Sequence, residues 1–139
     1  MNRNVLLTIT SLLSILLMIV HLSDDVVRGF EPGNTKNIRA VVILVVWLYG
    51  TLVLAGRRSG YIIILLGSLL ASLAPMAHEL RAGLVGGRVA NSSGMLFWVW
   101  TLITLHVTAI FSVILSVRGL WSFPWRRRRS ETKAVVESV

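Results

Sequence analysis

Two short stretches carry most of the side chains that could do chemistry. The first contains His21, Asp24, Asp25 and Arg28; with Glu31 it holds three of the chain's six acidic residues. The second is His78-Glu79-Leu80-Arg81. Each closes an apolar segment. Imidazole and carboxylate together suit Zn²⁺ and other divalent first-row ions. His21 and Asp25 stand four residues apart, so one helix could present both on one face. With His78 and Glu79 they make a four-ligand candidate metal set. No complete zinc motif supports it, since His78-Glu79 is followed by Leu-Arg-Ala. A second chemistry is b-type haem between the two imidazoles, which requires His21 and His78 at similar depth on facing helices. The plainer alternative is an ion-pair network, Asp25 with Arg81 and Arg28 with Glu79, pinning two helix ends together.

Other chemistries find no support. The chain has no cysteine, which excludes disulfides, thiolate metal sites and cysteine nucleophiles. No G-x-S-x-G elbow, phosphate-binding loop or dinucleotide fingerprint occurs. An enzyme is therefore the weaker reading.

The elements that must position these residues are hydrophobic helices. Of 139 residues, 55% are apolar, which suits a small polytopic membrane protein better than a soluble domain. About 20 residues at 1.5 Å each cross ~30 Å of hydrocarbon. Four stretches satisfy this, near residues 4–23, 38–56, 59–80 and 94–118. The expected fold class is an all-α integral membrane protein, a four-transmembrane-helix bundle made of two antiparallel hairpins. Residues 1–125 form its membrane domain, and 126–139 a basic cytoplasmic tail without fixed structure. The first segment reads as a retained helix, because its apolar run is long and no small-x-small cleavage site precedes Ser23. Gly29 and Pro32 are stop signals for it, and Gly56-Arg-Arg-Ser-Gly60 is a tight turn.

Charge sets the orientation. Four spans place nine Lys and Arg on the side of the termini and five on the other. The positive-inside rule then puts both termini in the cytoplasm, of a plasma membrane or a bacterial inner membrane. The excess rests on the tail. There, Trp121 and Trp125 precede Arg126, Arg127, Arg128 and Arg129, an aromatic and cationic anchor for anionic lipid. That topology accounts for the net charge of +8 without nucleic acid as a partner.

Face by face, Thr10, Ser14, His21, Asp25 and Arg28 lie within about 60° on the first helix. The third carries Gly67, Ala71 and Pro75, small enough for close helix approach, with Ser68 and Ser72 beside them. The fourth carries a stripe of Thr104, Thr108, Ser112 and Ser116. His106 lies roughly 140° from it, near mid-membrane. An imidazole tolerates lipid less well than a back-bonded hydroxyl, so His106 is expected to face the bundle or an oligomer contact, as a structural hydrogen bond between helices, with the hydroxyls on the less demanding, lipid-tolerant side. Trp47-Leu-Tyr49 and Trp98-Val-Trp100 hint at an internal duplication of the two hairpins.

These features predict a non-enzymatic membrane module or subunit. It would bind a ligand, a membrane-protein partner or a second copy through the His/Asp/Glu/Arg cluster at the outer ends of helices 1 and 3. The rivals are a metal- or haem-binding redox protein or enzyme using that cluster, and a small transporter or channel acting as an oligomer.

Overall fold

The computed structural model describes residues 3–76 and 93–137; the side chains of Lys36 and of 123–137 fall outside that description. The described chain is helical, with no strand. It comprises α1 (Arg3–Val27), a 3-10 turn (Thr35–Asn37), α2 (Ile38–Leu52), α3 (Arg58–Ser72) and α4 (Met95–Glu137). Three helical stretches, Arg3–Val27, Arg58–Met76 and Met95–Ser122, are long and apolar enough to cross a membrane. The remaining helix, α2, is apolar but has 15 residues, a rise of about 22 Å. Its expected extension to residue 56 is instead a series of turns over 53–57.

Local sequence sets the boundaries. Gly29 adopts φ 70°, the left-handed conformation that glycine takes without a Cβ penalty. Phe30 N donates to Asp25 O at 2.8 Å and Gly29 N to Val26 O at 3.1 Å. This pair of bonds is a Schellman ending, and it satisfies carbonyls that the end of α1 would leave orphaned. The α2–α3 connection is built around Gly56, with φ 75°. At α3 the chain turns at Leu73, two residues before Pro75, and residues 74–76 are helical again. A proline in that place has no N–H to give the carbonyl four residues back.

The helices pack antiparallel to their main neighbours. Arg3 meets Ser122 and Asp25 meets Trp98, which sets α1 against α4. Ser72 meets His106, and Tyr61 lies over Gly119, which sets α3 against α4. Trp47 lies on Gly67 and Ile63 on Gly50, which sets α2 against α3. The glycines are where the seams close. A Cβ on Gly67 would stand 2.5 Å from Trp47 Cδ2, so an indole that buries some 150–250 Å² fits only because that Cβ is missing.

The distribution of polarity is inverted relative to a water-soluble bundle. Ser11, Ser14, Thr51, Ser68, Ser112 and Ser116 are wholly buried. Leu16, Leu66, Phe111 and much of α2 face outward, each of those three more than half exposed. The apolar interior consists of Leu7, Ile15, Trp47, Tyr61, Ile64, Ala71, Leu105 and Ala109, with a second cluster of Trp98 and Leu102.

Two expectations about faces change. The hydroxyl stripe of α4 does not face outward. Ser112 and Ser116 are fully buried and Thr108 partly so. Because α4 packs on both α1 and α3, its contact face is wide enough to take the hydroxyls at its centre and His106 at its flank. The two tryptophans likewise do not occupy equivalent places. Trp47 and Trp98 both send their indole N–H to α1, whereas a duplicated hairpin would send the second to α3. Finally, the backbone of α4 stays helical through Glu137, beyond the boundary expected at residue 126.

Candidate functional site

The α1 stripe is the inner face of that helix. Ser14, His21 and Asp25 are buried, and Thr10 and Arg28 are half-buried. Thr10 and Ser14 spend their hydroxyls on their own helix, at Leu7 O and Thr10 O. The chemistry concentrates at the C-terminal end.

There, His21 and Asp25 are each 1% exposed. His21 Nε2 lies 3.6 Å from Asp25 Oδ2. Trp98 Nε1 donates to Asp25 Oδ1 at 2.6 Å, and the indole stands over the imidazole with ring centroids 5.4 Å apart. Phe30, from the loop after α1, meets Trp98 edge-on at 6.3 Å. A carboxylate in so dry a place needs donors, and the indole supplies one without bringing a second charge.

One turn on, Arg28 forms the outer layer. Its Nε donates to Asp24 Oδ2 at 2.7 Å. Its terminal nitrogens donate to the carbonyl oxygens of Ser93 and, at 3.2 Å, Gly94. The planar fork of a guanidinium suits this double task, whereas a lysine would act as a point charge. Gly94, with φ 75°, starts the turn into α4 and leaves room for that fork. Arg28 thus ties the end of α1 to the beginning of α4.

At the opposite end, Tyr61 Oη donates to Asn4 Oδ1 at 2.8 Å and Arg3 to Ser122 Oγ at 3.1 Å. Between the ends, Trp47 Nε1 donates to Ser11 Oγ at 2.9 Å. Thr51 Oγ1 donates to Trp47 O at 2.9 Å, so its hydrogen is spent. Across the 2.8 Å Ser11–Thr51 contact, Ser11 must therefore be the donor. The result is a directed chain from indole to serine to threonine to the carbonyl of the same tryptophan. Leu102 and Leu105 are both buried, Leu102 in the cluster around Trp98 and Leu105 in the main core.

His78, Glu79 and Arg81 lie outside the described residues, and so does their expected meeting with His21 and Asp25. The side chains of Trp125 and Arg126 to Arg129 do as well. Trp121 is 79% exposed. Among the described residues no three of His, Asp and Glu stand close enough to share a metal ion. His106 places Nδ1 2.8 Å from Ser72 O, an interhelical contact from α4 to α3. Trp98 is the site residue that the sequence reading did not assign a role. The available signal was its type: a buried indole needs an acceptor.

Fold and site together define a class, a small all-helical protein with three helices fit to cross a bilayer and a polar, buried clasp at one end. Comparisons with protein-family models, with curated proteins and with solved structures find no match.

Proposed function

We propose that this chain is an integral membrane protein that crosses the bilayer four times as two antiparallel hairpins, with both termini in the cytoplasm. It acts as a non-enzymatic module or subunit in a plasma or bacterial inner membrane. It binds a membrane-protein partner, a second copy or a ligand at the outer rim, where Arg28 and Asp24 close α1 onto α4. The observation that carries this reading is the inverted polarity: buried serines and threonines inside, large apolar side chains outside. Water would penalise that surface, whereas hydrocarbon accepts it and makes internal hydrogen bonding obligatory.

A second feature supports it. Trp100 and Trp121 on α4 are 67% and 79% exposed. They are separated by about 32 Å of helix rise, which matches two aromatic belts on either side of a ~30 Å core. The short α2 is accommodated by local thinning and by Arg39 reaching to the headgroups. At the inner rim, Trp121 with Trp125 and Arg126 to Arg129 anchors the chain on anionic lipid.

The test uses the absence of native cysteine. Ser92→Cys should react with an impermeant maleimide in intact cells, and Ser130→Cys only after permeabilisation. The chain should resist carbonate extraction. In mild detergent it should migrate above its monomer mass, and Arg28→Ala should lower that mass without loss of membrane insertion. Labelling of Ser130→Cys from outside would overturn the orientation. A strictly monomeric chain indifferent to Arg28→Ala would overturn the module.

A further inference from the structure

The two ends of the bundle differ in how their charges are answered. The described acids outside the tail, Asp24, Asp25 and Glu31, all belong to the end of α1 and the loop after it. There Arg28 is paired with Asp24. The opposite end, where the chain begins, carries Arg3, Arg57, Arg58 and Arg118. All four are exposed, and none makes an ion pair among the described residues. The tail does not neutralise them, since residues 126–139 add five cations and two acids.

Three of these arginines adjoin one junction. Asn4 Oδ1 accepts from Tyr61 Oη at 2.8 Å, and a Cβ on Gly56 would stand 3.2 Å from Asn4 Nδ2. The start of α1, the α2–α3 turn and the start of α3 therefore meet at Asn4. Arg3 precedes that residue, and Arg57 and Arg58 follow Gly56. Arg3 gives an N–H to Ser122 Oγ at 3.1 Å, and a guanidinium has five to give. Arg118 stands apart. It lies about 100° round α4 from Gly119, the residue that receives Tyr61, and shares the exposed face of Phe111 and Ile114.

From the membrane reading above, on which this inference rests, we propose that the junction binds the phosphate of an anionic phospholipid of the inner leaflet. Charge is the first argument. Three cations meet there with no described acid beside them, and basic sites between helix ends on the cytoplasmic side suit anionic headgroups. A zwitterionic headgroup would bring a further cation to the same place. Geometry is the second argument. The planar fork of a guanidinium matches two phosphate oxygens at once. Depth is the third. Ser122, the acceptor of Arg3, follows Trp121, which is 79% exposed. An exposed indole belongs at the headgroup level, so the junction lies where lipid phosphates already are. The binding differs from the anchoring of the tail in that it depends on the fold, which brings residue 3 to residues 57 and 58.

The full chain would be reconstituted in vesicles of equal phosphatidylglycerol and phosphatidylcholine, extracted in mild detergent, and weighed by native mass spectrometry. One phosphatidylglycerol per chain, kept in preference to phosphatidylcholine, is the expected result. Arg3→Gln and Arg57→Gln should each lower its retention about fivefold, the worth of one cation at an anionic surface. Arg118→Gln removes the same charge from the same end and should leave retention unchanged. Ser122→Ala removes the acceptor of Arg3 but no charge, and it should keep the lipid. If Arg3→Gln does not fold, Arg58→Gln in the exposed turn takes its place. Equal losses in all the arginine variants would mean diffuse attraction. No loss in Arg57→Gln would mean that the tail holds the lipid. Displacement of the lipid by excess inorganic phosphate would mean a site for a free anion. Each of these results overturns the proposal. Carbonate extraction of the same variants separates the two claims. A chain firmly in the membrane that keeps no phosphatidylglycerol removes the junction site alone, and a chain washed off removes the membrane reading itself.

Discussion

The indole of Trp98 donates to Oδ1 of Asp25 across the α1–α4 seam at 2.6 Å, with both side chains 1% exposed. Two residues 73 positions apart thus share one of the driest places in the protein. Trp98→Phe keeps the ring against His21 and Phe30 but removes the donor. A hydrogen bond to a charged group is worth about 1.5–3 kcal/mol, and the loss should approach that range because the carboxylate stays buried. Asp25→Asn retains a carbonyl acceptor and should cost less. Unfolding in mixed micelles by denaturing detergent would measure both. The double variant should fall short of the sum, since the two residues form one contact. Additive losses would mean that the indole packs there without donating.

The α1 face is legible in the sequence. The spacing of Ser14, His21 and Asp25 dictates that they share a side, and apolar surroundings dictate that the side turns inward. What faces them was not legible. Helix register across a seam depends on side-chain volumes from both partners, and one sequence carries no record of it. Trp98 therefore went without a role although its type demands an acceptor. The hydroxyl stripe of α4 reads as lipid-tolerant from sequence for a different reason. Ranking His106 against Ser112 by polarity assumed one narrow contact face, whereas α4 serves two neighbours and buries both serines. Small hydroxyls bonded to their own helix, as Ser112 is to Thr108 O at 3.1 Å, let the backbones approach.

The same indole bears on metal binding. Asp25 Oδ1 is taken by Trp98, and Oδ2 lies 3.6 Å from His21 Nε2. An ion held between His21 Nε2 and Asp25 Oδ2 would find no third His, Asp or Glu ligand among the described residues. Gently purified protein is therefore expected to carry no stoichiometric metal by elemental analysis and no Soret band, and its thermal stability should not change in chelator. A metal at one equivalent per chain, lost together with stability on chelation, would contradict this.

The directed chain through Ser11 makes its members unequal. Ser11→Ala strands the Trp47 N–H inside the bundle. Thr51→Val leaves that donor satisfied and frees the Ser11 hydroxyl to turn to its own helix. Interhelical hydrogen bonds in membrane proteins average about 0.6 kcal/mol and reach ~1.7. Ser11→Ala should fall near the top of that span and Thr51→Val near the bottom, by the same unfolding assay. Equal losses would show that the bonds do not run in the stated order.

Gly60 and Gly29 should fail for different reasons. A Cβ on Gly60 would collide with the backbone carbonyl of Leu54, which cannot move without opening the α2–α3 turn. Gly29 has open space around it but a φ of 70°. Gly60→Ala should therefore cost about 1–3 kcal/mol as overpacking, and its loss should be accompanied by a weakened α2–α3 seam. Gly29→Ala should cost roughly 1 kcal/mol through backbone strain alone. Hydrogen exchange would separate them, with faster exchange across residues 47–67 in the first variant and near residues 25–31 in the second.

His106 gives a prediction about a proton. Its Nδ1 faces Ser72 O at 2.8 Å, and a carbonyl can only accept. The hydrogen of this contact must therefore sit on Nδ1. The carbonyl is available because α3 ends at Ser72 and the last carbonyls of a helix lack donors of their own. Nitrogen-15 spectra of the labelled protein in bilayers should show Nδ1 protonated. His106→Asn, whose shorter amide cannot span the seam, should destabilise the α3–α4 contact by about 0.6–1.7 kcal/mol. A spectrum showing Nδ1 bare would mean that Ser72 finds another donor and that the imidazole is held by packing.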